Sequence, residues 1–415
     1  MQNPVANQLD SRPLSLYLHI PFCSRKCAYC SFAVITGWST PISDTLKDNY
    51  TDHIIREIKH YASSYAQRPL YTIYIWGGTP TLLGPQRLIQ IIDVIAWSYQ
   101  IDRLWELTIE CNPDQSEYVL DTIRMVHSHY PYISCIRRSI GIQTWDQDIL
   151  TQSSRWYNNQ TLVHFIDALV WLKSSNTSYN MDLIAFGKLY DSLPWSEQSR
   201  AYRSNLLHSH FLDHCSIYTL ELFEWSQRYH ELIQNHNPDQ IKQKLWHGLK
   251  KYGSDDEVYQ EFDYLASLLI QAGYRRYELS NFSLSAKKSQ HNQVYRKYGD
   301  YLGIGMSSSS KIWSHRRSNY TTLSPYMHHD RIDPKTIQYL THADQLIESF
   351  FLRLRTEDGI DDLWSYTSVL EPDYQIKLAN YYELWYVHRK DDVLSLTYAG
   401  MNIYNYIITD LLHTL

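Results

Sequence analysis

The sequence predicts an α/β protein built on six consecutive β/α units, and three observations carry that reading. Short β-rich runs at 14–20, 71–76, 106–110, 135–143, 179–186 and 215–222 alternate with longer stretches of helical periodicity. They recur at intervals of roughly 30 to 55 residues, room enough for a crossover helix and its turns. Each run also ends in a chemically distinctive group rather than a plain turn. Strand, crossover helix, strand implies parallel pairing with right-handed connections. Six such units build a (β/α)6 partial barrel or a doubly wound sheet, and periodicity alone leaves both open.

The first run leads into a loop holding Cys23, Cys27 and Cys30. After it, Ile42, Leu46, Tyr50, Ile54 and Ile58 recur every four residues, the stripe of an amphipathic helix packed on a sheet. The second run ends at Gly77-Gly78-Thr79-Pro80-Thr81, the third at Glu110-Cys111-Asn112-Pro113 and the fourth at Gln143. The fifth carries Asp182, and the sixth runs to Glu221. In parallel α/β architectures ligands bind at the carboxyl ends of the strands, so these groups are expected to converge on one mouth. Residues 223–255 are polar and include Asn235-His236-Asn237-Pro238-Asp239, a domain boundary by composition. Ser254 then caps a helix with Asp255, Asp256 and Glu257 in its first turn, an apolar face of Val258, Phe262, Leu265 and Leu269, and Gly273 at its end. The stretch from Tyr274 to Tyr320 reads as loop-rich. Beyond it, 346–354, the segment around Leu363 and 374–385 read as helices and 393–397 as a short strand, which suits a small winged-helix-like module.

Composition excludes several function classes. A formal net charge of −6 and the lack of a long basic stripe argue against a nucleic-acid partner bound through phosphate neutralisation. No apolar run approaches the roughly 18 residues that span a bilayer, and Met1 to Pro13 has neither the charged start nor the apolar stretch of a signal peptide. Cys111, Cys135 and Cys215 are scattered, which suits a reducing compartment rather than a disulfide framework. The expectation is a cytoplasmic protein.

Three thiolates spaced CxxxCxxC can hold three irons of a [4Fe–4S] cube and leave the fourth open. Spacing alone also allows a structural zinc site with His19 as fourth ligand. The groups at the later strand ends weigh against zinc. The cysteine spacing resembles that of the radical S-adenosylmethionine (SAM) enzymes, in which SAM chelates the open iron.

The ordered segments Tyr17-Leu18-His19-Ile20-Pro21-Phe22-Cys23, Trp76-Gly77-Gly78-Thr79-Pro80-Thr81, Glu110-Cys111-Asn112-Pro113, Ser139-Ile140-Gly141-Ile142-Gln143-Thr144 and Tyr277-Glu278-Leu279-Ser280-Asn281-Phe282 extend the likeness. Together with the cysteine loop they resemble the radical SAM oxygen-independent coproporphyrinogen III oxidase family, over almost the whole chain. The family contains a dehydrogenase branch, HemN, and a haem-chaperone branch, HemW. The resemblance implies a radical-SAM (β/α)6 partial barrel over 14–235, behind a short extension at 1–13. A connecting region that covers the site follows at 236–330, and a mainly helical C-terminal domain at 331–415.

It also assigns roles. Cys23, Cys27 and Cys30 become the cluster ligands. Gly77, Gly78 and Thr79 meet the amino group of SAM, where glycine permits close backbone approach. Glu110 and Asp182 offer carboxylates to its cationic face or ribose, Gln143 an amide to the ribose, and Arg155 a planar fork to its carboxylate. Tyr17 and Tyr29 lie beside cluster and SAM.

Phe32 separates the branches, because the dehydrogenases carry a further cysteine two residues past the third. The short segment before the first strand points the same way, toward HemW. That branch places a haem-associated HNxxYW motif where this chain reads His291-Asn292-Gln293-Val294-Tyr295-Arg296. His291 is therefore the candidate haem ligand, and Arg296 could pair with a propionate. The segment Met306-Ser307-Ser308-Ser309-Ser310 has no histidine where the family usually does. The implied function is a HemW-like protein that binds a [4Fe–4S] cluster and SAM and delivers haem to membrane-bound haem enzymes from the cytoplasmic side. A coproporphyrinogen III dehydrogenase acting on a porphyrinogen is the catalytic alternative. A zinc-stabilised interaction protein is the second. The electron donor is not written in the sequence.

Overall fold

The computed structural model describes residues 12–37, 41–101, 104–155, 157–187, 207, 211–220, 255–328 and 331–412. The six expected strands are β1 (Leu14–Ile20), β2 (Leu70–Gly77), β3 (Glu106–Cys111), β4 (Cys135–Gln143), β5 (Thr177–Ala185) and β6 (His214–Thr219). They lie side by side in chain order and every neighbouring pair is parallel. A doubly wound sheet would reverse direction part-way across; sequential order is that of a partial barrel. Helices α1 (Asp44–Tyr65), α2 (Pro85–Ser98), α3 (Ser116–His129), α4 (Gln147–Gln152) and α5 (Asn159–Trp171) cross over between the strands. The four-residue stripe proves to be the buried side of α1, where Tyr50, Ile54 and Ile58 are fully buried.

The stretch from 274 to 320 differs from expectation. Rather than loops it supplies β7 (Asn281–Ser283), α7 (Gln290–Arg296), β8 (Tyr301–Ile304), β9 (Ser309–Ile312) and β10 (His315–Ser318), and β11 (Gln338–Tyr339) follows. β8 runs parallel to β1, and β9 to β11 continue outward from it. At the other edge β7 pairs antiparallel with β6, and a two-residue strand, Arg275–Arg276, is the last of twelve strands that the sheet has among the described residues. Strands of two to four residues are too short for a period-two pattern to stand out, and the partners of β8 and β7 lie far away in sequence. The helix after the polar stretch is α6 (Asp255–Gln271), ended as expected by Gly273 at φ +89°. Ser254, Glu221 and the boundary near 235 fall outside the described residues.

Two apolar clusters fill the barrel layer, one between β1–β3 and α1–α2, the other between β4–β6, α5 and α6. A third belongs to the C-terminal region. There α9 (His342–Leu354) follows the short α8 (Leu323–His328), and a 3-10 turn at Leu363–Tyr366, α10 (Tyr374–Glu383), α11 (Tyr398–Asn402) and α12 (Tyr404–Leu411) surround a hairpin of β12 (Val387–Lys390) and β13 (Val393–Leu396). The strand expected at 393–397 thus has a partner that periodicity did not mark. No helix among the described residues is long and apolar enough to cross a membrane.

Candidate functional site

The carboxyl ends of β1 to β6 open into a cavity of about 1000 Å3. Tyr17, Cys23, Cys27, Tyr29, Cys30, Gly77, Gly78, Glu110, Gln143, Arg155, Asp182 and His291 all line it, and the buried Thr79 touches one of them, Cys23. The sequence-predicted residues are therefore brought together.

The cysteine loop leaves β1 at Ile20 and returns through a two-residue parallel pairing of Phe22–Cys23 with Ile35–Thr36. The Gly77-Gly78-Thr79 segment fastens its root. Gly78 N–H donates to Ile20 O at 2.8 Å and Thr79 N–H to Phe22 O at 2.6 Å. A Cβ on Gly78 would stand 2.5 Å from Phe22 O, and one on Gly77, at φ +119°, would stand 2.8 Å from the His19 ring. The close approach that requires glycine is thus to the chain's own β1 and cysteine loop. Thr79 Oγ1 completes the link, 3.3 Å from Cys23 Sγ and accepting from Asn112 Nδ2 at 2.8 Å.

Burial pushes the Cys23 thiol above its ordinary range and the Cys30 thiol up to about 11. Among the described residues no three His, Cys, Asp or Glu side chains converge on a point as a single ion demands. The thiols instead share one cavity wall, a soft donor set that fits a cluster whose irons are separate centres. His19 does not join them. Its Nε2 lies 3.0 Å from Ala33 O and its Nδ1 3.1 Å from the Tyr17 hydroxyl, so the Cys3His zinc alternative lacks its fourth ligand.

Glu110 and Asp182 stand on β3 and β5, the two strands that flank β4. Burial, then the charge of Asp182, holds Glu110 well above the usual carboxylate range; burial also raises Asp182. Tyr74 donates to Glu110 Oε1 at 2.5 Å, and Ser139 and Asn180 donate to Asp182 at 2.7 and 2.8 Å. Two carboxylates sharing a buried site favour a bound cation or a shared proton. Gln143 sits at the irregular end of β4 with φ 66°, a left-handed conformation unusual outside glycine. Beside it Gly141 leaves room, since a Cβ there would meet Asn112 Oδ1 and Gln143 Nε2 at 2.8 Å.

Arg155 places Nε and Nη2 on the Tyr29 hydroxyl at 3.0 and 2.7 Å and Nη1 on Asn112 Oδ1 at 2.8 Å. Its fork already has partners, and a ligand carboxylate must displace the Tyr29 phenol to receive it. His291 is buried, with Nδ1 2.8 Å from Thr72 Oγ1 and Nε2 2.7 Å from the Tyr295 hydroxyl; burial lowers its pKa to about 3. Arg296 is held by Glu278 at 2.9 Å rather than standing free for a propionate. Phe32 packs edge-on against Trp76 with ring centres 4.7 Å apart, at the cavity wall.

Sequence reasoning missed Asn112, Tyr74 and Ser139. Asn112 bridges Thr79 and Arg155, and its signal was its place in the Glu110-Cys111-Asn112-Pro113 strand end. Tyr74 alternates with Thr72 and Trp76 on β2, the period of one sheet face.

The radical SAM superfamily model matches residues 17–186. The chain is 30% identical to the haem chaperone HemW of Lactococcus lactis over 84% of its length and 83% of the relative's. It is 26% identical to the haem chaperone HemW of Bacillus subtilis over 93% of its length and 96% of the relative's. The solved coproporphyrinogen III oxidase HemN of Escherichia coli, described as a radical SAM enzyme, superposes with a TM-score of 0.72 over 98% of this chain and 91% of that one. At 19% identity that likeness is one of fold.

Proposed function

The chain belongs to the radical SAM family that contains HemW and HemN, and on that premise we propose that it holds a [4Fe–4S] cluster through Cys23, Cys27 and Cys30, binds SAM, and transfers haem to acceptor proteins. The observation that supports this most is the single cavity joining three thiols to two buried carboxylates and an arginine at successive strand ends. When bound, the cluster supplies one-electron reduction at the cavity wall.

The chain's own residues divide the remaining work. Thr79 donates toward Cys23 and stabilises its thiolate, which burial otherwise disfavours. Glu110 and Asp182 attract the sulfonium and amino charges of SAM, and Gln143 at its strained strand end presents an amide to the ribose. Arg155, exchanging Tyr29 for the ligand, takes the carboxylate. Tyr17, on the strand that leads into the loop, lies against Trp76 and closes the floor. Phe32 supports the chaperone branch, since the dehydrogenase pattern has a cysteine at that place. The protein then works in the cytoplasm and meets membrane haem enzymes peripherally.

Anaerobic reconstitution should give a brown protein with about four irons and four sulfides per chain. A colourless protein with stoichiometric zinc overturns the cluster. Haem titration should show binding, while incubation with coproporphyrinogen III, SAM and a reductant should leave the porphyrinogen unchanged; formation of protoporphyrinogen assigns the chain to the dehydrogenase branch instead.

A further inference from the structure

We propose that Arg355, just past α9, anchors a carboxylate of a flat, apolar, anionic ligand of the tetrapyrrole class, lodged between α9 and the barrel mouth. This deepens the haem-binding reading and rests on it.

The cavity has a second wall that strand-end reasoning does not reach. It is built by residues 278–355, and α9 contributes Phe351 and Leu352, with Arg355 following. The i, i+4 spacing puts Phe351 and Arg355 on one face, an apolar ring one turn from a cation. The other cations of this wall have acidic partners. Arg296 pairs with Glu278 at 2.9 Å, Arg316 with Glu348 at 2.6 Å and Lys311 with Asp300 at 3.6 Å. Arg355 has no carboxylate at salt-bridge distance among the described residues. Its guanidinium lies 5.3 Å from the centre of the Tyr404 ring, and its Nε is buried without a hydrogen-bond partner.

The acid whose charge reaches Arg355, Glu278, already belongs to Arg296, and Arg296 itself bears on Arg355 as a like charge. Two guanidinium groups share one carboxylate, which leaves a net positive charge facing the cavity. A half-buried cation without a counter-ion is costly, and a ligand carboxylate would complete the set with charge-assisted hydrogen bonds. SAM has no call on this residue, since Arg155 lies at the other wall. The volume agrees, because sites for one drug-sized ligand span about 300–1,000 Å3 and this cavity sits at the upper limit. An apolar plane with carboxylates at its rim matches Phe351, Leu352 and Arg355 together.

The test is a fluorescence titration of the full chain, cluster reconstituted, with zinc protoporphyrin IX and with its dimethyl ester. The wild type should bind the diacid at least about tenfold more tightly than the ester. Arg355→Gln should weaken diacid binding by about ten- to a hundredfold, leave ester binding unchanged and so abolish the preference. Iron content and SAM binding should not move. Arg355→Lys, which keeps the charge, should retain part of the preference. Equal weakening of diacid and ester assigns Arg355 a packing role and overturns the proposal. So does an unchanged preference in Arg355→Gln, while the haem reading survives either result. A wild type that binds neither porphyrin nor haem removes the haem reading itself.

Discussion

Replacing Gly78 by alanine probes the root of the site. The added Cβ would lie 2.5 Å from the Phe22 carbonyl oxygen and 2.9 Å from the Pro21 carbonyl. These are backbone atoms, so no rotamer relieves the clash, and the gap must open from 2.5 to about 3.4 Å. That movement pulls apart the bonds from Gly78 N–H to Ile20 O and from Thr79 N–H to Phe22 O, 2.8 and 2.6 Å long. Two backbone hydrogen bonds at about 1 kcal/mol each, with about 1–3 kcal/mol of overpacking, give a loss of about 3–5 kcal/mol. A native protein with about 5–15 kcal/mol of stability still folds, but Cys23 hangs from the displaced segment. Gly78→Ala should therefore lower the thermal midpoint and yield substoichiometric iron and sulfide after anaerobic reconstitution. Gly273→Ala is the control. It sits at φ +89° with nothing within 4 Å of the new Cβ, so it costs about 1–3 kcal/mol of backbone strain and should leave iron content intact. Full iron and an unchanged midpoint in Gly78→Ala would refute the reasoning.

Cys27→Ser should lose the cluster while keeping its far-ultraviolet circular dichroism, and a variant with full iron content removes Cys27 from the ligand set. Arg138 is buried in β4 with Nε and Nη2 lacking partners among the described residues, so Arg138→Met should match or exceed wild-type stability by about 1–4 kcal/mol; a lower midpoint in thermal unfolding counts against an unpaired charge there. His214, held neutral by burial between Asn180 and Tyr277, has a pKa well below its ordinary value of 6.5. The unfolded chain then binds a proton below about pH 6.5 that the folded one refuses, so stability falls as pH drops, by up to about 1.4 kcal/mol per unit, and His214→Gln should flatten the slope of midpoint against pH. Because Glu110 and Asp182 are both raised, SAM binding should release protons and tighten as pH rises; calorimetry in buffers of different ionisation enthalpy reads this, and a buffer-independent heat contradicts the pairing.

The six barrel strands were legible because each is a short β-rich run set between stretches of helical periodicity, although burial did not follow polarity: in β5 all nine residues are buried, Thr177, Ser178, Asn180 and Asp182 among them. The edges of the sheet were not. β7 to β11 are two to four residues long; β8 is a strand by pairing with β1, 286 positions away in register, and β7 by pairing with β6, while β9 to β11 are laid one after another on β8. In the site, the residues that end strands were legible, because a parallel sheet delivers its strand ends to one side. The partners were less so. That Tyr29 holds Arg155 across 126 positions, and that Gly78 is packed against Phe22, are facts of tertiary contact that no local pattern announces.

The His291 segment turns on the same distinction between facing a cavity and building its wall. Glu106, buried at the start of β3, accepts from the N–H groups of Gln290 and His291 at 3.2 and 3.1 Å and from Arg137 at 3.0 Å, so the amino end of α7 is held by an internal carboxylate. With Thr72 and Tyr295 on its two ring nitrogens, His291 joins β2 to α7. An axial bond to haem iron would require it to give up one of those hydrogen bonds, about 1 kcal/mol, and to rotate within a packed wall. Besides His291, Asn292 and Tyr295, α7 presents to the cavity its last residue, Arg296, in the same lining as Glu278 and Arg355. The replacement of the family's tryptophan by Arg296 therefore changes the charge of the ligand-facing surface, whereas the retained His291 and Tyr295 preserve the wall that carries it.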